Sequence, residues 1–438
     1  MLTKVRQWRA VRVLVRRLGV HRVSSVVGAV QAPFLLLLAP VLRRLPRDAR
    51  LVALGSPLDR FADNAAYLYL HLAEQASGLE PDRHGALRPV WVSGSAEVVR
   101  RLRAQGYPAV TRWSARGVVT AVRAGTFVYS AYRSDVNRWL APGAVTVGLW
   151  HGLPIKRVEG AVGGHEDADS GLLRRLQQAA REPAPDYLLT PSDFVAERFA
   201  PAFGVPRDRC WHLGYPRNDH LLVDPAKPPA ALSEDQESWS RLERSPLVVG
   251  LFLTWRDDRV DDVVDADLLA ELAALCLRSG GLLAYKAHYN VASAEVPDQG
   301  CVALPTDADL HAYLGLCDVL VTDYSSVALD FLLMRRPVVY FMPDLEHYEA
   351  TRGFHVDPLA LPGVVTRDQR SLLEALERVL QDPTTSTSWT DDDTAFMTRL
   401  WGPNPAGASA GIAAALATVV NGGRVSVRRS ASAPRPEG

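Results

Sequence analysis

The chain has 438 residues, with 49 Lys and Arg against 49 Asp and Glu and 47% hydrophobic side chains. That length exceeds one ordinary core and implies roughly two to three globular units. The zero net charge excludes a generally basic nucleic-acid binder, but the charge is uneven: residues 1–50 carry eleven basic residues against Asp48, a local +10 that leaves −10 on the remainder.

In chain order, Val5, Trp8, Val11, Val15 and Leu18 recur at three- and four-residue steps among arginines, the pattern of an interfacial helix. The uncharged run Val23 to Leu42 follows and is just long enough to span a bilayer, although Gln31, Pro33 and Pro40 weaken a span. Residues 1–49 therefore read as a basic, apolar helical segment associating with an anionic membrane surface. A true span and a domain-packing helix are the alternatives. A secretory signal fits poorly, because the basic stretch before the apolar run is long and no clean small-x-small site follows.

Arg50 to Ser56, Pro89 to Ser93 and Thr126 to Ser130 are short apolar strands followed by helical patterning such as Ala96 to Gln105, which predicts a mainly parallel sheet. Val145 to Trp150 is a further strand running into His151-Gly-Leu-Pro-Ile-Lys156. The polar, Gly-bearing segment Arg157 to Pro185 reads as a mobile acceptor-side loop. Beyond it, Asp186-Tyr-Leu-Leu-Thr-Pro-Ser-Asp193 leads through a helix to Gly214-Tyr-Pro-Arg-Asn-Asp219. Residues 50–221 form the first Rossmann-like domain in this reading, and the Pro-rich residues 222–246 form a linker. A second alternation starts at Leu247 to Phe252 and fills residues 247–420, leaving 421–438 as a disordered tail. Two facing Rossmann-like domains define a GT-B-like α/β fold with an interdomain cleft. Ligands in such sheets collect at the carboxyl ends of strands, which directs His151, His288 and Thr322 into that cleft. Cys210, Cys276, Cys301 and Cys317 lack metal-site spacing and read as buried thiols of a reducing compartment.

The stretch Cys317 to Pro358 is the densest in signals: a strand at Val319 to Val321, the polar turn Thr322-Asp323-Tyr324-Ser325-Ser326, a helix with Val327, Leu329, Phe331 and Leu332 on its apolar positions, then the strand Val338 to Phe341. The turn reads either as a seat for phosphate oxygens or as a helix cap.

Together WHGLPIK at Trp150, TPSDF at Thr190, GYPRND at Gly214, TDYSS followed by DF, and DLE with RGF resemble the CDP-glycerol glycerophosphotransferase family, over roughly residues 50–400. These enzymes prime and polymerise the polyol phosphate chains of teichoic acids and related capsules. The resemblance implies a CDP-glycerol or CDP-ribitol donor, a lipid-linked saccharide or polyol-phosphate acceptor, release of CMP, and a place on the cytoplasmic face of the cell membrane. It makes His151 the candidate general base. It places His288 beside the diphosphate and Lys286 with it, although Tyr289 stands where the family carries proline. Arg256 is suited to a bidentate phosphate contact, or else pairs with Asp257 or Asp258. Thr322, Ser325 and Ser326 flank the phosphates while Asp323 orients the turn. Glu346 and Arg352 lie on the nucleotide side, Glu346 being equally well an exposed loop carboxylate.

The patterns Asp167-Ala-Asp169, Asp265-Ala-Asp267 and Asp307-Ala-Asp309 would suit a metal-dependent transferase, but three hits in one acidic chain show how cheap that motif is. No tightly bound cofactor or protein-held metal is expected, with loosely held magnesium on the diphosphate left open. The competing functions are a GT-B glycosyltransferase using a nucleotide sugar and a non-catalytic membrane-associated scaffold. The donor polyol, the acceptor and the oligomeric state are not legible.

Overall fold

The structure, a computed structural model, describes residues 37–78, 86–157, 182–232, 235–254, 264–286, 297, 299–382 and 389–423. The first domain is a seven-stranded, all-parallel sheet in the order β3-β2-β1-β4-β5-β6-β7. Its strands are β1 (Asp48–Gly55), β2 (Arg88–Ser93), β3 (Ala109–Thr111), β4 (Ala124–Tyr129), β5 (Val145–Gly148), β6 (Tyr187–Leu189) and β7 (Cys210–Trp211). The second is a six-stranded parallel sheet in the order β10-β9-β8-β11-β12-β13. It comprises β8 (Val248–Phe252), β9 (Leu282–Tyr285), β10 (Cys301–Ala303), β11 (Val319–Thr322), β12 (Val338–Phe341) and β13 (Val364–Thr366). Both orders start in the middle and run outward to each side, so each sheet has a switch point, between β1 and β4 and between β8 and β11. Crevices open there at the carboxyl ends of the strands.

The connecting helices follow from amphipathic spacing and good caps. Helix α1 (Asp63–Ser77) covers the first sheet and α2 (Ala96–Ala104) is capped by Ser95, whose side chain accepts from the Val98 N–H. Helix α3 (Ala115–Arg123) is capped in the same way by Ser114, and α4 (Asp193–Phe203) by Ser192 of the TPSDF element. One hydrophobic core runs from the α1 side of the first sheet into the second domain, joining Leu68, Phe199 and Tyr215 to Tyr313, Leu329 and Tyr340. Separate cores fill the opposite face of each sheet.

Two boundaries differ from the sequence reading. Residues 222–246 are not a plain linker: they hold α6 (Gln236–Glu243), after the short α5 (Asp219–Val223), and α6 buries Trp239 and Leu242. Trp239 packs on Tyr313 with ring centroids 5.4 Å apart, so an apolar anchor ties this segment to the second domain. The last helices, α12 (Asp391–Trp401) and α13 (Ala408–Val420), follow the second domain in sequence but return to the first. Trp401 meets Tyr215 edge-on at 5.4 Å, and the Asp219 carboxylate accepts from the N–H groups of Ala408 and Ser409 at 2.8 Å each. Such a crossover binds the two domains through the chain itself.

Residues 1–36 of the expected membrane segment lie outside the described residues. Residues 37–42 are helical, and among the described residues no helix is long and apolar enough to cross a membrane. The tail beyond residue 423 and the acceptor-side loop at residues 158–181 also lie outside them. All four cysteines are buried and free.

Candidate active site

His151 follows β5 at its carboxyl end. Trp150 takes a left-handed conformation (φ 59°), which is uncommon for so large a side chain and turns the chain sharply out of the strand. What holds this loop is a set of buried side chains on its backbone carbonyls. Asn64 Nδ2 donates to the Trp150 carbonyl at 2.8 Å, Arg217 Nη1 to that of His151 at 2.8 Å, and the Tyr215 hydroxyl to that of Gly152 at 3.0 Å. Each clamp comes from a segment distant in sequence, so the loop is fixed by tertiary structure, in the manner of a preorganised site.

The His151 ring lies against Trp150, with centroids 4.2 Å apart and a 35° tilt. It is open to solvent at the floor of the cleft, yet protein crowds it from the sides, and this burial lowers its pKa from the usual imidazole value. The carboxylate of Asp63 and a hydrogen bond to the Ser130 backbone work the other way, while Arg217 adds to the lowering. The outcome is a histidine that is neutral at neutral pH and able to accept a proton.

Opposite it stands the turn after β11, in helix α9 (Val327–Phe331) and the residues before it. Ser326 packs directly on Gly152. Ser325 and Ser326 are partly exposed, and Ser325 Oγ accepts from the Val327 N–H at 3.4 Å, a weak cap. The neighbouring Thr322 behaves differently from the sequence reading. Thr322 is fully buried and its hydroxyl donates to the Phe252 carbonyl at 2.5 Å, so it stitches β11 to β8 instead of flanking a phosphate. Asp323, equally buried, accepts from the Thr254 N–H through both oxygens at 3.0 Å and so orients the loop after β8.

A second seam closes the cleft. Lys156 and Phe354 form an antiparallel bridge, the Arg157 N–H donates to the Gly353 carbonyl at 3.2 Å, and the His355 N–H donates to that of Ile155 at 2.8 Å. The WHGLPIK and RGF elements are therefore joined across the domains by an isolated bridge. Lys156 Nζ donates to Thr254 Oγ1 at 3.3 Å and stands 5.5 Å from the centre of the Tyr348 ring, which stacks on Tyr324 at 4.2 Å. On the other side of the second sheet's switch point, Lys286 ends β9 and donates to the Ala308 carbonyl. Burial pulls its pKa down to about 8, with Arg60 of the first domain contributing.

The site thus brings together His151, Ser325 and Ser326, while Lys286 follows β9, which β8 separates from β11. Glu346 does not join it: on the exposed start of α10 (Leu345–Arg352) its carboxylate pairs with Arg367. Arg256 and His288 lie outside the described residues, as does the side chain of Arg352. Two of the DxD aspartates have structural work: Asp265 caps α7 (Ala266–Arg278) and Asp309 caps the short α8 (Leu310–Leu314). Among the described residues, no group of three or more His, Cys, Asp or Glu is placed to hold a metal ion.

Sequence reasoning missed Asp63, Asn64, Arg217, Asn218, His311 and Asp330, which form a buried polar cluster beneath His151. Arg217 Nη1 meets Asp63 Oδ1 at 2.7 Å, its Nη2 meets Asp330 Oδ2 at 2.9 Å, and Asn218 Nδ2 donates to Asp330 Oδ1 at 2.7 Å. His311 Nε2 lies 3.4 Å from Asp330 Oδ2. The available signal was that Arg217, Asn218 and Asp330 fall inside the GYPRND and DYSS-x-x-x-DF elements.

A two-domain parallel α/β protein with a clamped histidine facing a hydroxyl-bearing turn has the make-up of a group-transferring enzyme. Residues 37–396 match the family described as CDP-Glycerol:Poly(glycerophosphate) glycerophosphotransferase, and the chain belongs to it. It is 27% identical over 342 residues to the teichoic acid glycerol-phosphate transferase of Staphylococcus aureus, covering 73% of this chain and 81% of that protein. It is 28% identical over 289 residues to the teichoic acid poly(glycerol phosphate) polymerase of Bacillus subtilis, covering 63% of this chain but only 38% of the polymerase. Among solved structures, the wall teichoic acid polymerase TagF, in a variant soaked with CDPG, superposes with a TM-score of 0.66 at 21% identity, covering 86% of this chain and 90% of that one. That likeness supports the two-domain fold.

Proposed function

We propose that this protein transfers glycerol phosphate from CDP-glycerol to a hydroxyl of a lipid-linked or polymeric acceptor in teichoic acid or related envelope polymer synthesis, releasing CMP. Membership in the family supports the reaction class, and the first relative named above supports glycerol over ribitol as the polyol. The observation that carries the reading is the clamped, neutral His151 facing Ser326 across the cleft.

In this mechanism the acceptor hydroxyl attacks the phosphorus that bears glycerol. Its oxygen forms the new P–O bond, the bond from that phosphorus to the bridging oxygen of CMP breaks, and the hydroxyl proton passes to His151. Ser325 and Ser326 donate to the diphosphate, and Lys286, with Arg256 and His288, balances the charge that develops on departing CMP. Arg352 serves the nucleotide side. The two domains divide the task, the first presenting the acceptor and the second the donor.

The protein works at the cytoplasmic face of the membrane, held peripherally by its basic N-terminal segment. The eleven cations among residues 1–50 and the exposed Leu37 and Val41 support this.

Supplying CDP-glycerol, CDP-ribitol and UDP-sugars with a lipid-linked saccharide acceptor, and measuring CMP and UDP release together with product mass, tests the reading. CMP release with a glycerol phosphate added to the acceptor is expected. UDP release, or no turnover with any donor, overturns it. The His151→Ala variant should remain folded and lose a factor on the order of 10² to 10⁴ in turnover.

A further inference from the structure

Arg217 belongs to the first domain and Asp330 to the second, and both side chains are 2% exposed. Burying one guanidinium requires an anion, and the 2.9 Å pair with Asp330 supplies it. Asp63 is a second, 2.7 Å away. Neither pair requires the third bond, in which the same Nη1 that meets Asp63 also donates to the His151 carbonyl at 2.8 Å. That bond reaches the backbone of the residue read as the base. On the far side, Asp330 is held at both oxygens, by Asn218 on one and by Arg217 and His311 on the other, and lies four residues beyond Ser326 in the same turn-and-helix element. A rigid chain of buried polar contacts therefore runs from the phosphate-side turn to the histidine loop.

We propose that Arg217 is a positioning residue for the transfer reaction: fixed by Asp330 of the donor-side domain, it sets the backbone of His151, so that the base is aligned only when the two domains are docked. The inference rests on His151 being the base. It gives GYPRND a role distinct from substrate contact, since its arginine is sealed from the cleft and acts through the loop that it holds. Asp63 has the complementary part: a non-glycine residue at φ 63° that opens α1, it anchors the guanidinium from the first domain and accepts from the Asn64 N–H at 2.7 Å. The charged groups facing His151 are Asp63 at the start of α1 and Arg217. Behind Arg217 stand Asp330 of α9 and His311 of α8.

The test compares Arg217→Gln and Asp330→Asn in the full chain, with the His151 ring signals assigned through His151→Ala. Removing the cation should move the His151 titration to higher pH. Removing the Asp330 carboxylate, which leaves Arg217 less balanced, should move it to lower pH. In both variants kcat for CMP release should fall about 10²-fold while the KM for CDP-glycerol stays within about threefold, since the loss is alignment and not donor binding. Opposite displacements show that both charges reach the ring, and the fall in kcat at a nearly constant KM marks positioning, because a pair that only stabilises the fold leaves the kcat of a folded variant unchanged. Unmoved His151 signals in cooperatively melting variants, or unchanged kcat, overturn it. Should Arg217→Gln fail to fold, Asp330→Asn decides alone by the same readings. The ring titration is read without turnover, so an active His151→Ala would sink the assignment of the base while the coupling stands or falls separately.

Discussion

Gly152 and Ser326, on opposite domains, meet at the floor of the cleft: a Cβ on Gly152 would stand 2.5 Å from Ser326 Oγ and 3.3 Å from its Cβ. The missing side chain of Gly152 therefore makes the room that Ser326 occupies. Gly152→Ala should push the serine aside and lower kcat about tenfold, a misplacement effect, without changing the circular dichroism. Adding Ser326→Ala removes the closest clashing atom and should recover part of the loss. A double variant worse than the product of the single effects would show that the two residues do not oppose each other.

Lys286 gives a pH dependence with a definite sign. Burial lowers its pKa to about 8, so above that pH it loses the charge that would hold a phosphate. The KM for CDP-glycerol should rise as pH passes through about 8, and Lys286→Arg should flatten that rise, because a guanidinium stays charged. A KM independent of pH between 7 and 9 in the native chain would remove Lys286 from the donor site.

The strand-helix alternation and the strand-end position of His151 were legible because both follow from local spacing. The partners of that histidine were not. Arg217 meets Asp63 across 154 residues and Asp330 across 113, and no periodicity announces a contact of that range. Thr322 was misread for a related reason: a small hydroxyl after a strand looks the same in sequence whether it faces a ligand or the neighbouring strand. Only the register pairing Thr322 with Phe252 shows which carbonyl that hydroxyl takes. The return of α12 and α13 to the first domain was hidden in the same way, since their apolar faces do not name the surface that they cover.

Two neighbouring histidines should titrate on opposite sides of the ordinary range. His220 is stacked on Tyr67 at 5.2 Å, and burial lowers its pKa to about 4. His311 is raised: burial and Arg217 oppose its charge, but Asp309 and Asp330 prevail. The His220 contribution to stability is present above the unfolded value near 6.5 and is lost as pH falls toward about 4. That of His311 is present below the unfolded value and is lost as pH rises through its own higher one. Ring NMR should find His220 already neutral at pH 5.5, with the His311 midpoint above that of an ordinary imidazole. The reverse order would contradict the buried ion cluster.

Replacing Ser325 and Ser326 together with alanine separates a phosphate seat from a helix cap. If their hydroxyls donate to a charged diphosphate, each loss costs roughly 1.5 to 3 kcal/mol of CDP-glycerol affinity. Only the weak 3.4 Å cap from Ser325 opposes this reading. Unchanged donor affinity by calorimetry would leave both serines as structural.

The N-terminal segment should govern membrane attachment and not chemistry, and the structure sets where to cut. A chain beginning near Arg47 would lose Leu42, buried at 3% exposure in the core of the first domain. Arg47 itself must stay, because its guanidinium donates to the carbonyls of Ala121, Ala124, Leu140 and Pro142. Leu37 and Val41, by contrast, are 76% and 55% exposed and form an apolar face with Leu38 and Trp139. A chain starting at residue 37 should therefore fold and use a soluble acceptor analogue, yet lose most of its sedimentation with anionic vesicles, since each cation removed near such a surface contributes about 1 kcal/mol. High salt should release the full-length protein if its attachment is interfacial, and should not if residues 23–42 span the bilayer. Equal sedimentation of the shortened and intact chains would place the anchor elsewhere.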